Sequence, residues 1–323
     1  EKSLVENAGI NYYAISSGKL RRYLNLQNLT DVFRVVKGVG DAFGILRRVK
    51  PELVFSKGGF VSVPVVIAAR LMGIKTIIHE SDITPGLANK ISLPFAHRIC
   101  FTFPETAAHI KKKGVLTGTP IREELYKGSI AAAKDVCKFQ NSNPTILVMG
   151  GSQGSVKIND CLRRTLPNLL NDFNVIHLCG RGNVSQAADA RGYKQFEYVS
   201  SELPHLLAYA DLVISRAGSN SINELLALRK PNLLIPLSRD ASRGDQILNA
   251  RSYEKQGFSM LLYEEELSDV SLINKINELN AKRKEFINAM SKYQLSDGTK
   301  NVLKVIEEED FGITKPKQNG TPS

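Results

Sequence analysis

At 323 residues the chain has room for two domains of ordinary size, and its 42% hydrophobic content is that of a soluble protein. No apolar run reaches the roughly 18 residues that a bilayer span needs and no signal peptide is visible, so a cytoplasmic location is expected. Lys plus Arg exceed Asp plus Glu by 11, which implies attraction to polyanions. With no basic stripe interleaved with aromatics, no zinc-finger spacing and no RNA-binding signature, that partner is expected to be an anionic membrane surface and not a nucleic acid.

From the N-terminus, Tyr12-Tyr13-Ala14-Ile15 reads as a strand. A basic cluster with Lys19, Arg21 and Arg22 beside Leu20 and Leu24 then precedes apolar residues at helical spacing, among them Leu29, Val32, Phe33, Val36 and Phe43. Two readings compete: an interfacial helix whose cations meet anionic headgroups, or a core helix with a solvated basic start. Beyond Pro51 strands and helices alternate. Leu53-Val54-Phe55 leads into the turn Lys57-Gly58-Gly59, and a helix with Pro64 in its first turn runs to Leu71. Thr76-Ile77-Ile78 ends at His79-Glu80-Ser81-Asp82, and Pro85 to Asn89 opens another helix. Strands at 98–101 and 115–117 complete an α/β domain with parallel pairing, and the second runs into Gly118-Thr119-Pro120-Ile121-Arg122.

Residues 126–143 lose the apolar rhythm and are expected to form a linker. The cycle resumes with Thr145 to Met149 as a strand, Gly150-Gly151-Ser152-Gln153-Gly154 as a turn and 158–170 as a helix. Strands at 175–178 and 196–199 follow, then Leu212-Val213-Ile214 before the small-residue turn 216–221. Glu224 stands three residues after Ser221, the spacing of a capping box, so a capping role competes with a ligand role. A strand at 232–236 leads to Asp245, Gln246 and Asn249, a further helix starts near Ser271 and a last one spans about 281–306. Two strand ends thus deliver polar groups beside helix N-termini, which points to a nucleotide site. Cys100, Cys137, Cys161 and Cys179 are scattered, which suits buried free thiols and neither disulfides nor a zinc site.

Ala217-Gly218-Ser219, Asn223-Glu224, Asp245-Gln246 and Asn249-Ala250, together with the 150–154 turn and His79-Glu80-Ser81-Asp82, resemble the MurG family of glycosyltransferases over about residues 17–305. The resemblance implies two facing Rossmann-like α/β domains, the GT-B architecture, with the first incomplete because the family's opening strand, Gly-rich loop and favoured general-base His precede Glu1. It divides the chain into an acceptor- and membrane-binding domain at 1–138, a donor domain at 139–309 and a flexible tail at 310–323. It also implies transfer of N-acetylglucosamine from UDP-N-acetylglucosamine to an undecaprenyl-linked muramyl pentapeptide at the cytoplasmic face of the cell membrane, in peptidoglycan synthesis, without cofactor or metal, and it leaves room for cell-wall synthesis proteins as further partners.

On the same ground, Arg122, Ser152, Gln153, Gly218, Ser219, Asn220, Ser221, Glu224, Gln246 and Asn249 are the expected donor-binding residues. Gly58, Gly59, Glu80, Asp82 and Asn89 are the expected acceptor residues, with Glu80 and Asp82 as candidates for catalysis. Lys19, Arg21, Arg22, Leu24 and Phe33 are the expected membrane contacts. A relative acting on another lipid such as diacylglycerol, or a nucleotide-sugar-binding protein without turnover, is the alternative.

Overall fold

The computed structural model describes residues 2–17, 27–110, 113–151, 153–185, 190–239, 242–294 and 297–310. Two compact units result, Glu1–Gly118 together with Asp297–Ser323, and Thr119–Ser296.

The first unit opens with a short helix, α1 (Lys2–Asn7), and a long one, α2 (Gln27–Val49). Its sheet is β1 (Leu53–Ser56), β2 (Lys75–Glu80), β3 (Arg98–Phe101) and β4 (Gly114–Leu116), all parallel and in sequential order. α3 (Ser62–Leu71) and α4 (Leu87–Ser92) supply crossovers. Val39, Ala42 and Leu46 of α2 pack with Ala68 and Ala69 of α3, so one stripe of α2 is core. Tyr12 to Ile15 forms no strand: Tyr12 and Tyr13 are exposed and only Ile15 joins the core. Aromatic and β-branched content favours a strand only where a neighbour supplies hydrogen bonds.

The second unit begins with a packed α5 (Ile130–Cys137), followed by β5 (Thr145–Met149), α6 (Val156–Leu169), β6 (Asn174–Leu178), β7 (Tyr193–Phe196), α7 (Leu203–Tyr209) and β8 (Leu212–Ser215). α8 (Ser219–Ala227), β9 (Asn232–Leu234), α9 (Asp245–Lys255), β10 (Met260–Leu261), α10 (Asp269–Ala281) and α11 (Arg283–Lys292) complete it. The six parallel strands lie in the order β10-β9-β8-β5-β6-β7, the doubly wound arrangement whose strand order reverses between β5 and β8. Both faces of this sheet are covered. Ile146, Val148, Leu212 and Ile214 enter one core with Ile158 and Leu162 of α6, while Leu147 and Val213 enter the opposite core with Leu206 and Leu225. Strands buried on both faces read as continuous apolar runs, which is why β5 and β8 stand out in the sequence.

The unit boundary falls after Gly118 and not after residue 138. The stretch expected to be a linker contains α5, and its Ala133 and Cys137 pack with Leu125 on the core that includes Leu147. The expected final helix over 281–306 is two helices. α11 ends at Lys292, and α12 (Gly298–Asp310) belongs to the first unit, with Val302 and Val305 against Ile77 and Cys100. Asn301 Nδ2 donates to the Thr117 carbonyl at 3.0 Å, and Arg98 pairs with Glu309 at 2.9 Å. All four cysteines are buried and free.

Candidate functional site

In the second unit, the β5–α6 and β8–α8 turns flank the point where the strand order reverses. Gly154 has φ 77° and Gly180 φ 87°, and a Cβ on either would overlap the opposing backbone, at the Cys179 carbonyl and the Gln153 carbonyl respectively. Glycine at both positions lets the two turns close on each other, which brings backbone N–H groups to one place. Behind them runs a buried relay. Asn159 Nδ2 donates to the Cys179 carbonyl at 2.9 Å, which turns its Oδ1 toward His177 Nε2, also 2.9 Å away. His177 Nε2 therefore carries the proton, and Nδ1 accepts from the Tyr193 hydroxyl at 2.8 Å. Burial, with the nearby Arg163 charge, lowers the His177 pKa to about 3, so the ring is neutral near pH 7.

On the other side of the reversal point, Arg216 follows β8 directly as a buried guanidinium. It donates to Ser155 Oγ at 2.6 Å and to the Ile235 and Pro236 carbonyls at 3.1 and 3.3 Å, and it pairs with buried Glu264. One side chain thus joins the carboxyl ends of β5, β8, β9 and β10. Burial alone would raise the Glu264 pKa, but the Arg216 hydrogen bond and charge, with Lys157 at 3.7 Å, hold its carboxyl below the usual range. The sequence signal for Arg216 is a single cation within a small-residue turn after an apolar strand; it was not among the expected site residues.

α8 starts at Ser219 with Gly218 as its N-cap and no side-chain cap. Glu224 is the sixth residue of the helix, too far along to cap it, so the capping-box reading fails. Its carboxylate instead meets Arg122, with Oε1 3.2 Å from Nε and 3.1 Å from an NH2 nitrogen. Burial raises the Glu224 pKa, and the Arg122 charge and hydrogen bond oppose that rise. Both side chains line a cavity of about 190 Å³ with Gly151, Ser221, Tyr198 and Val199. Polar groups thus sit at one side, and Leu178, Leu203 and Leu207 give the remainder an apolar wall. Such a cavity suits a flat base joined to a hydroxylated sugar and a phosphate.

The other expected donor residues sit as follows. Ser219 is buried, and Asn223 Nδ2 donates to its carbonyl at 2.8 Å; Asn220 is exposed. Gln153 is exposed on the turn, and Ser152 lies outside the described residues. Gln246 turns back to accept from the Leu237 N–H at 3.1 Å, and fully buried Asn249 donates to the Ala217 carbonyl at 3.3 Å. Asn249 thus anchors the turn after β8, and Gln246 the loop after β9.

In the first unit, Glu80 ends β2 with a buried carboxylate that accepts from Asp82 N at 2.9 Å, Gly86 N at 3.1 Å and Asn89 Nδ2 at 2.7 Å. Burial raises its pKa against those donors. A carboxylate with three protein donors fixes the 81–86 loop and the start of α4, so Glu80 is a positioning group here. Asp82 is half-buried on that loop, and Asn89 is buried beside Gly58. Gly58 and Gly59 both have φ 87°, which explains two glycines where β1 ends. Among the described residues, no three His, Cys, Asp or Glu side chains converge as metal ligands. Lys19, Arg21, Arg22 and Leu24 lie outside the described residues, whereas Phe33 is 70% exposed on α2.

Residues 145–306 match the glycosyltransferase family 28 C-terminal domain, and residues 1–101 match the N-terminal domain of the same family. The chain is 56% identical over 309 residues, 95% of its length and 87% of the relative's, to the UDP-N-acetylglucosamine–N-acetylmuramyl-(pentapeptide) pyrophosphoryl-undecaprenol N-acetylglucosamine transferase of Clostridium botulinum strain Hall. It is 54% identical over 95% of its length to the enzyme of that name from Clostridium tetani, covering 86% of it. Among solved structures it resembles Acinetobacter baumannii MurG, with TM-score 0.73 and 23% identity over 95% of this chain and 87% of that one. It also resembles Staphylococcus aureus MnaA bound to UDP, with TM-score 0.68 and 12% identity over 100% of this chain and 90% of that one. These last two likenesses establish the GT-B fold.

Proposed function

Because the chain belongs to glycosyltransferase family 28, we propose that it transfers N-acetylglucosamine from UDP-N-acetylglucosamine to the 4-hydroxyl of a lipid-linked muramyl pentapeptide, with inversion at the anomeric carbon. The observation that carries this reading is the Arg122–Glu224 pair on the cavity beside the β5–β8 reversal point, within a chain 56% identical to a transferase of that name. Glu224 supplies a carboxylate for the ribose hydroxyls, and Val199 with the leucine wall supplies an apolar slot for uracil. The Gly151–Gly154 turn and the start of α6 supply backbone N–H groups for the diphosphate. As the bond to UDP breaks, charge grows on the leaving phosphate, and fixed N–H dipoles stabilise it without reorganisation. Holding acceptor hydroxyl and anomeric carbon together lowers the barrier further.

The acceptor is lipid-linked, so the reaction runs at a membrane surface, and α2 is built for that contact. No helix among the described residues is long and apolar enough to cross a bilayer. α2 turns Val39, Ala42 and Leu46 inward, while Phe33, Val36 and Phe43 are exposed beside the exposed cations Arg34, Lys37, Arg47 and Arg48. The helix is therefore core on one stripe and interfacial on another, with the cytoplasmic leaflet as its surface. Lys19, Arg21, Arg22 and Leu24 extend the same basic and apolar pattern in sequence. The test of the acceptor is a side-by-side assay with labelled UDP-N-acetylglucosamine, lipid-linked muramyl pentapeptide and diacylglycerol in mixed micelles. Label in the muramyl product alone is expected. Label in the diacylglycerol product would transfer the reading to the other acceptor class.

A further inference from the structure

The first unit carries an apolar groove that none of its described side chains fills. Its volume is about 780 Å³, and Leu93, Pro94, Ile99 and Ile110 give it an apolar floor. Ile99 and Ile110 also pack on the core with Val66 and Phe101, so the groove opens onto the sheet itself. Lys90, His109 and Lys113 stand at its rim, and all three are exposed. The Lys113 ammonium donates to the Ala96 carbonyl at 2.7 Å, and among the described residues none of the three meets a carboxylate. An apolar concavity with a cationic rim suits a segment that carries acidic residues beside apolar ones.

Such a segment leaves the fold next to this groove. The last turn of α12 reaches the edge at which β2 opens with Lys75 and β3 with Arg98. There the Lys75 ammonium donates to the Glu309 carbonyl, and Arg98 pairs with the Glu309 carboxylate at 2.9 Å. Arg98 directly precedes Ile99 of the groove floor, and the Ile99 N–H donates to the Lys113 carbonyl at 3.0 Å. Burial, and then the Arg70 charge, lower the His97 pKa, while Glu309 acts against them and Lys113 with them. The end of α12 and the groove rim thus lie within electrostatic reach of one imidazole. Next in sequence come Phe311-Gly312-Ile313, which lie outside the described residues, and 314–323 hold no large apolar residue. Four acids, Glu307 to Asp310, therefore run directly into two large apolar side chains. At about 3.3 Å per extended residue, Phe311 and Ile313 fall within roughly 10 Å of the end of α12. α12 covers the face of the sheet to which Cys100 points, and Ile99 points to the other, so the segment has only the edge of the sheet to cross.

We propose that Phe311 and Ile313 cross the amino edge of this sheet and fill the groove, with the acidic last turn of α12 beside its lysines, so that the segment is a strap that closes the apolar floor from water. Tethered so close to the rim, the segment has an effective concentration on the order of millimolar, which favours it over a free ligand. The inference stands apart from the transferase reading and does not depend on it.

The test places the photoreactive residue p-benzoylphenylalanine at position 311 of the full chain, irradiates it and maps the adduct by mass spectrometry of the digest. Adducts on residues 90–99 and 109–113 of the same chain are expected, in a yield that dilution leaves unchanged. Leu93→Asp should lower that yield at least tenfold. Lys90→Glu, at an exposed position, should lower it about threefold with the melting temperature unchanged, which keeps the test decisive if Leu93→Asp does not fold. In the full chain with Phe311→Ser and Ile313→Ser together, the dye anilinonaphthalene sulfonate should bind at least threefold more strongly than to the parent. Adducts on another surface, or adducts between two copies that disappear on dilution, would overturn the proposal. Equal dye binding by parent and double variant would do the same. So would short-chain phosphatidylglycerol binding both with equal affinity and losing it in Leu93→Asp or Lys90→Glu, because the groove would then be a lipid site open in the parent.

Discussion

Glu224 meets Arg122 through a single oxygen, Oε1. Arg122 is more than half exposed and Glu224 largely buried, so the pair adds little to stability against solvent screening. In the proposed site the Arg122 charge opposes the rise that burial imposes on the Glu224 pKa. A ribose diol offers that carboxylate two hydroxyl donors, and hydrogen bonds to a charged group contribute about 1.5–3 kcal/mol. Glu224→Ala should therefore weaken UDP binding by roughly tenfold or more. Because Glu224 does not cap α8, the melting temperature should hardly move. Calorimetry and thermal melts on one preparation check both; unchanged affinity would remove Glu224 from the nucleotide site.

At the scale of the element, α2 and β6 make separate commitments. Phe33 and Val36 are 70% and 65% exposed on α2, so replacing both with Asp removes no core contact. It does place two charges where apolar groups would enter the acyl boundary. Sedimentation with anionic vesicles should fall at least tenfold while UDP binding, in the other unit, stays. Equal sedimentation would return α2 to a purely structural role. In β6, His177 is neutral at about pKa 3 against 6.5 unfolded. Below pH 6.5 the unfolded chain takes up a proton that the folded one does not, so stability present at neutral pH is lost as pH falls. By pH 5 the loss from this group is about 2 kcal/mol. The groups facing it are Tyr193, Asn159 and Arg163. In His177→Gln the drop in urea stability from pH 7 to pH 5 should shrink by about that amount; an unchanged drop would mean that His177 does not titrate as described.

At the scale of the whole molecule, what could be read from the sequence followed what the chain encodes locally. β5 and β8 were legible because burial on both faces leaves an unbroken apolar run, and the turns after them because small residues are concentrated there. α5 was not, since Ala133 and Cys137 carry too little side chain to mark a helical face although both are buried. Tyr12 to Ile15 misled because a strand needs a partner that composition does not supply. The break between α11 and α12 lay in a segment where Tyr293 and Asp297-Gly298 interrupt an otherwise continuous helical pattern. At the candidate site, the resemblance picked out Glu224 and Arg122, which line one cavity, but not the direction of each side chain. Gln246 and Asn249 turn inward to Leu237 and Ala217, a choice made by tertiary packing. Arg216 and His177 act through partners far apart in sequence, and their spacing alone does not bring those partners together.

The central claim is a single displacement of UDP from UDP-N-acetylglucosamine by the acceptor hydroxyl, in a donor site built around Glu224. Its most direct test is the anomeric configuration of the sugar bond formed when the parent chain is incubated with UDP-N-acetylglucosamine and lipid-linked muramyl pentapeptide, read by NMR of the released disaccharide. A β-linked product from the α-linked donor is the expected result. An α-linked product, or no disaccharide from a preparation that binds UDP, would contradict the account.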